Sequence, residues 1–363
     1  MSEDRKERKS NPNHLRTVYL INVIFLCLLT LAVLAGAVIL FLRYRETRKE
    51  LSLIHQEMTA TTEHAKTLYT DQEVERLVQN ASQESSEEAR RKLLQEMQSS
   101  LETGKSVLTT LRTLYPDNFV VSADDQYYFY PILKNVRTNP FDSADFAPGD
   151  DGRMAYRGDN GDVKTRFGID ISSATGTIDW EAAAEDGVQF AMIRVGGRDQ
   201  DGTLFLDDRF LTNVTEAQKA GIRTGVYMRL NCITDEEAEA DAAFLLDALH
   251  DLAQPVDGPV AAVITAPSRD SRAYGQSRAA WTSHAKTFLD TLNKGGQKGM
   301  LYSNAAGYAM MLDLGQFEDT DKWIADRSGS LYFPYRFTCW QYGAGKVKGI
   351  DGKVNCDLLV LQE

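Results

Sequence analysis

Several side chains able to do chemistry recur at the ends of short apolar runs in the C-terminal half of this chain. They are the carboxyl of Asp170, the guanidinium of Arg194, the rings of Tyr227, Tyr302 and Trp340, and the amide of Gln341. A carboxyl group at the end of a buried strand can transfer a proton or stabilise a developing positive charge. Aromatic faces at matching strand ends offer a large contact area while freezing few rotamers. Each also has a plainer reading. A buried Asp can serve only to bond backbone amides, and a buried ring can serve only to fill a core. The most central apolar run, Pro259-Val-Ala-Ala-Val-Ile-Thr265, contains no acid at all.

These residues need a scaffold that brings strand ends together. From Phe167 onward, apolar runs alternate with helical patterns, the order expected of βα units and a parallel sheet. The expected strands are 167–171, 189–195, 223–228, 259–265, 299–303, 322–326, 337–342 and 353–358, with helices over 234–250 and 271–293. Eight strands point to a closed barrel. The stretch 167–363 is short for eight full βα units, which typically take about 250 residues. The reading is therefore an α/β, TIM-like β/α barrel with incomplete late helices, whose functional groups belong at the C-terminal ends of the strands.

Motifs in order along this stretch resemble glycoside hydrolase family 25, the lysozyme or muramidase family. Gly168-Ile-Asp-Ile-Ser172 with Gly176-Thr-Ile-Asp-Trp180 resembles the family's opening signature, and Phe190-Ala-Met-Ile-Arg194-Val-Gly-Gly its second strand. Asp207-x-x-Phe210-x-x-Asn213, Ala220-Gly-Ile and Gly225-Val-Tyr227 match the next unit. Leu301-Tyr-Ser303, Trp323-Ile-Ala325, Trp340-Gln-Tyr342 and Gly349-Ile-Asp-Gly-Lys-Val354 complete the order. The resemblance implies a peptidoglycan ligand, with Asp170 as a retained acid at the base of a sugar cleft. It implies that Tyr227, Tyr302 and Trp340 stack on sugar rings beside Gln341. Arg194 then bonds sugar hydroxyls or N-acetyl groups, or pairs with Asp170.

The departures bear on the reaction. The family ends its fourth strand with Asp-x-Glu, where this chain has Val263 and Thr265. It carries a further Asp near the C-terminus, where Asn355 stands here, and an aromatic where Tyr227-Met-Arg229 places Arg229. Glycosidic cleavage needs one carboxylic acid to protonate the leaving oxygen and a second group to stabilise or capture the oxocarbenium-like centre. Loss of general-acid catalysis alone costs typically 10²–10⁴-fold in rate. A relocated acid would have to replace it. Asp357 is the first candidate, two residues beyond Asn355 and so on the same strand face, and Asp270 is the second.

The rest of the chain places the barrel. Residues 1–16 read as a cytoplasmic tail and 17–43 as a transmembrane helix: Thr17 to Leu42 carry no charge, which at about 1.5 Å per residue exceeds a bilayer core of about 30 Å. A cleaved signal peptide is the competing reading, but its apolar region runs about 7–15 residues. Basic residues flank the run on both sides and lean slightly towards a cytoplasmic N-terminus, with the C-terminal domain extracellular, on a Gram-positive cell. Residues 44–114 read as a helical stalk. A coiled-coil-like seam runs through Leu51, Ile54, Met58, Thr61, Ala65 and Leu68, and through Leu94, Met97, Leu101, Leu108 and Leu111, with a break expected between Gln72 and Arg91. A spacer or parallel dimer and a folded-back hairpin both fit. Residues 115–166 read as a linker with a small strand pair against the main domain. The formal net charge of −12 excludes nucleic acid as a partner. Cys27, Cys232, Cys339 and Cys356 lack metal-ligand spacing, so no metal and no cofactor is expected; a Cys339–Cys356 bridge requires neighbouring strands.

The function expected is a membrane-anchored, wall-facing pseudoenzyme that binds peptidoglycan. An active muramidase using Asp170 with Asp357 or Asp270 is the enzymatic alternative. A scaffold that binds a protein partner, with a stalk that forms a homodimer, is the third reading.

Overall fold

The computed structural model describes residues 42–46, 48–49, 71–104, 106–159, 161 and 163–362, which fall into two compact units, 1–98 and 99–363. The expected membrane span lies outside the described residues apart from its last positions, as does the first half of the stalk seam. No helix among the described residues is long and apolar enough to cross a membrane. Within the stretch expected to be a stalk, Asp71–Glu102 is a single helix. The break expected between Gln72 and Arg91 does not occur. Asn80-Ala-Ser-Gln-Glu-Ser-Ser-Glu-Glu contains no Gly or Pro, and modest per-residue propensities are not enough to interrupt a helix. The interruption comes after Glu102, where Gly104 takes a left-handed φ of 78°. A second helix, Val107–Leu114, starts at the Ser106 cap.

The linker is more structured than a single strand pair. β1 (Asn118–Ala123) and β2 (Gln126–Pro131) form a hairpin whose two tip residues, Asp124 and Asp125, both have positive φ, the geometry that matches strand twist in a two-residue turn. β3 (Phe146–Pro148) and β4 (Met154–Tyr156) form a second antiparallel ribbon. Phe119 of β1 sits within 6 Å, ring to ring, of Tyr332, Phe333 and Tyr335, so the hairpin packs as part of the domain.

The barrel is built from β5 (Val163–Ile171), β6 (Phe190–Arg198), β8 (Arg223–Arg229), β9 (Val260–Val263), β10 (Gly299–Asn304), β11 (Asp321–Ala325), β12 (Cys339–Gly345) and β13 (Val354–Gln362). Neighbouring strands pair in this order, and a β5–β6 pairing closes the ring. A short strand, β7 (Leu204–Leu206), hangs antiparallel on the end of β6. The first seven barrel strands are parallel. β13 corrects the expectation of a uniformly parallel sheet, because it runs antiparallel to both β12 and β5. The turn through Gly349 and Gly352, both at positive φ, leaves no room for a crossover helix, so the chain reverses directly into β13.

Helices Asp235–His250 and Arg278–Lys294 lie outside the early strands. Thr234 and Ser277 cap them, each accepting a backbone N–H in the first turn. The late part has only the short helix Ala305–Met310 after β10, and no α-helix joins β11 to β12 or β12 to β13. Strand alternation divides the apolar residues into two layers. Phe190, Met192, Ala261, Met300, Trp323, Cys339 and Leu359 fill the barrel interior. The larger core lies between barrel and helices and includes Ile169, Ile193, Val226, Phe288, Leu301 and Trp340. Cys339 and Cys356 fall in different layers and are free thiols, so the bridge does not form.

Gly168 shows how tightly the interior is filled. It pairs with Asp357 on one side and Phe190 on the other, and a Cβ there would fall within the Phe190 ring. We expect Gly168→Ala to cost about 1–3 kcal/mol through overpacking, read as a lowered midpoint in thermal or chemical denaturation. An unchanged midpoint would show that the interior has slack.

Candidate functional site

The parallel strands end around a pocket of about 270 Å³, near the lower end of the roughly 300–1,000 Å³ typical of ligand sites. Its lining comes from every barrel strand. Asp170 comes from β5, Arg194 from β6, Tyr227 and Arg229 from β8, Val263 from β9 and Thr265 just beyond it. Tyr302 comes from β10, Trp323 from β11, Gln341 from β12 and Asn355 from β13. Because β13 is antiparallel, its first residues lie level with the last residues of β5. That register sets Asn355 opposite Asp170.

Asp170 is held on both oxygens. Gln341 Nε2 donates to Oδ2 at 2.6 Å and Asn355 Nδ2 donates to Oδ1 at 3.0 Å. Both amides are oriented in turn by Arg327, whose Nη2 donates to Gln341 Oε1 at 3.0 Å and to Asn355 Oδ1 at 2.9 Å. The Tyr302 hydroxyl also donates to Gln341 Oε1, at 3.2 Å. Each amide therefore turns its N–H towards Asp170 because its oxygen is already committed. Burial raises the Asp170 carboxyl above the usual range, and the two amide donors oppose that rise.

Asp357 lies one layer deeper and does not line the pocket. It is fully buried, and Trp323 Nε1 donates to its Oδ1 at 2.8 Å. Burial, then the nearby Asp170 charge, push its carboxyl well above the ordinary range. Asp357 therefore favours its neutral form, and its Oδ2 is buried without a hydrogen-bond partner among the described residues. Asp270 is exposed on the turn after β9 and is absent from the pocket lining.

The aromatic expectations split. Tyr227 and Tyr302 line the pocket, and burial raises both phenols well beyond their usual range, so both stay neutral. Trp340 does not line it. Its side chain points outward against Phe146 and Tyr342, with Nε1 donating to Asp326 O at 2.8 Å. Adjacent residues on a strand face opposite ways, and Gln341 takes the inward place. Trp323, on the neighbouring strand, supplies the indole instead, edge-on to Tyr302 at 4.5 Å between ring centres. A polar Gln beside a Trp at a strand end was the available signal for this choice.

Arg194 does not pair with Asp170. Its Nε donates to Gly196 O at 3.1 Å, and its guanidinium lies over the Phe205 ring at 5.2 Å from the centroid. Arg327, Arg229 and Trp323 are the site residues missed by reading strand ends alone. Arg327 sits two residues past β11, on the loop.

Asp357 generates a test. A carboxyl whose folded pKa is raised contributes most at low pH, and that contribution is lost as pH rises through the folded value. Asp357→Asn keeps an acceptor for Trp323 and offers an N–H in place of the acid's O–H. We expect the melting temperature of this variant, relative to the parent, to rise steadily from pH 5 to pH 8. A difference that does not vary with pH would show that Asp357 carries no shifted proton.

The family model for glycosyl hydrolases family 25 matches residues 169–350, half of the chain. The modular autolysin LytC of Streptococcus pneumoniae has a similar fold: 20% identity, 66% of this chain and 57% of that chain covered, TM-score 0.51. LytC has also been solved with a synthetic peptidoglycan ligand, with the same scores. Lysozyme M1 of Streptomyces globisporus is 42% identical over 60 residues, which is 16% of this chain and 19% of that protein. The chain thus spans little more than half of LytC and about a fifth of lysozyme M1. On the family match, with the eight-stranded barrel around the pocket, this chain belongs to glycosyl hydrolases family 25.

Proposed function

We propose that this chain binds peptidoglycan glycan without cleaving it, as a pseudoenzyme anchored in the cell membrane of a Gram-positive bacterium with its barrel facing the wall. The observation that carries the reading is the state of the carboxyls. Asp170 is the one carboxyl lining the pocket among the described residues, and both its oxygens accept amide hydrogens. A general acid must present a proton to the leaving oxygen. Val263 and Thr265 cannot do so, Asn355 is spent on Asp170, and Asp357 is sealed beneath the pocket floor. What remains is a polar pocket walled by Tyr227, Tyr302 and Trp323, which suits a sugar ring better than it suits a hydrolytic step.

An active muramidase built on Asp170 with Asp357 or Asp270 is less well supported, because neither partner lines the pocket. The stalk favours a separate role as spacer or homodimer seam, and a scaffold that binds a protein through the barrel would leave glycan unbound. The full-length protein incubated with purified peptidoglycan separates these readings. We expect it to sediment with the wall material while releasing no muropeptides above background. Release abolished by Asp170→Asn would establish the enzyme, and failure to sediment would favour the scaffold.

A further inference from the structure

The pocket's charge is inverted relative to what acid catalysis needs. Its one carboxylate, Asp170, is satisfied internally, whereas two guanidinium groups reach the lining from adjacent strands, Arg194 on β6 and Arg229 on β8. Neither makes an ion pair among the described residues. Arg194 keeps one bond, to a backbone carbonyl, and Arg229 is exposed at the rim with no hydrogen-bond partner. Exposed arginines are commonly just solvated. Here a second observation points inward: the Thr265 hydroxyl lines the same pocket, buried and without a hydrogen-bond partner. A buried unpartnered hydroxyl is costly unless a ligand or water completes it. The Tyr227 hydroxyl, on the same strand as Arg229, also lacks a hydrogen bond among the described residues. The donors that remain free therefore converge on one small volume, while Arg327 is already committed to Gln341 and Asn355.

We propose that this pocket selects peptidoglycan segments carrying a free carboxylate, seated on Arg229 and Arg194, over neutral ones. The proposal rests on the glycan-binding reading and names what that site prefers. A carboxylate matches the guanidinium fork with two parallel hydrogen bonds, and the aromatic walls hold the ring that bears it. Arg229 stands where the resemblance places an aromatic residue, so the preference belongs to this chain's own departure from the family pattern.

The test compares two forms of insoluble peptidoglycan: native, and with its carboxylates converted to neutral methylamides by carbodiimide coupling. Sedimentation isotherms of the full-length protein are measured on each. We expect amidation to weaken binding about tenfold or more, a difference of about 1.4 kcal/mol. Arg229→Gln should bring affinity for the native form down to that for the amidated form, and leave the latter unchanged. Arg229 is exposed, and a circular dichroism spectrum matching the parent's confirms that the variant folds; Arg194→Gln should act in the same direction. Equal binding to both forms, or an Arg229→Gln loss that is equal on both, overturns the carboxylate preference while leaving glycan binding intact. Absence of binding to either form overturns the glycan reading itself. Strands stripped of peptide then separate the sources, since that cut frees the sugar carboxyl that the peptide holds as an amide: binding that is lost when these strands are in turn methylamidated shows that a sugar carboxylate is accepted, and no binding to them places the carboxylate on the peptide.

Discussion

The closing strand β13 is the constraint on which the site depends. By running antiparallel between β12 and β5, it delivers its first residues, rather than its last, to the mouth of the barrel. Asn355 is thereby set against Asp170 at the functional end, and Asp357 is set one layer below it. Had the strand entered in parallel sense, the same residues would lie towards the opposite end, and Asp170 would keep Gln341 but lose Asn355. Closure also removes the sheet edge, so every barrel strand is paired on both sides.

From that register follows a graded polar column down the barrel axis. At the rim, Arg327 grips the oxygens of Gln341 and Asn355. Beneath it, their N–H groups hold Asp170. Below that, Asp357 lies buried beneath Asp170 and accepts from Trp323. Below this again the interior becomes apolar, through Met192, Met300 and Leu359. A buried network of this kind is tolerable because both Asp170 oxygens and both amide oxygens have partners, while Asp357, whose Oδ2 has none, is pushed towards its neutral form. The same completeness leaves Asp170 poorly placed to act on a ligand and leaves the outward-facing donors, Arg194 and Arg229, to set the pocket's character.

The family membership and the proposed loss of catalytic acids are compatible because they rest on different parts of the molecule. The barrel is fixed by strand periodicity, the glycine turns and a dense interior, none of which involves the positions of Val263, Thr265 and Asn355, where the resemblance implies acids. A fold can host a changed site when the exchanged residues lie at strand ends, where their packing duties are light. Val263 and Thr265 extend β9 as well as acids would, since Ile264 between them still donates its N–H to Tyr302 O and accepts from the Ser303 hydroxyl.

Much of this was legible in the residues alone. The order of apolar runs and turns determined eight strands, incomplete late helices and a set of strand-end residues, Asp170, Arg194, Tyr227, Tyr302 and Gln341, that line one pocket. The absence of acids at Val263, Thr265 and Asn355 was equally plain, because residue type at a strand end needs no coordinates. What only the tertiary structure decided depends on direction and parity. A strand's sense is set by the length of the turn before it, so the reversal into β13, and with it the burial of Asp357, followed from a loop too short for a crossover helix. Parity decided which of two neighbours faces inward, placing Trp340 in the outer core and Trp323 in the pocket. The stalk break failed because a polar run without Gly or Pro does not stop a helix, and Arg327 emerged only once a loop had folded back over the barrel mouth. Sequence determined which chemical groups were available; closure of the barrel decided which of them meet.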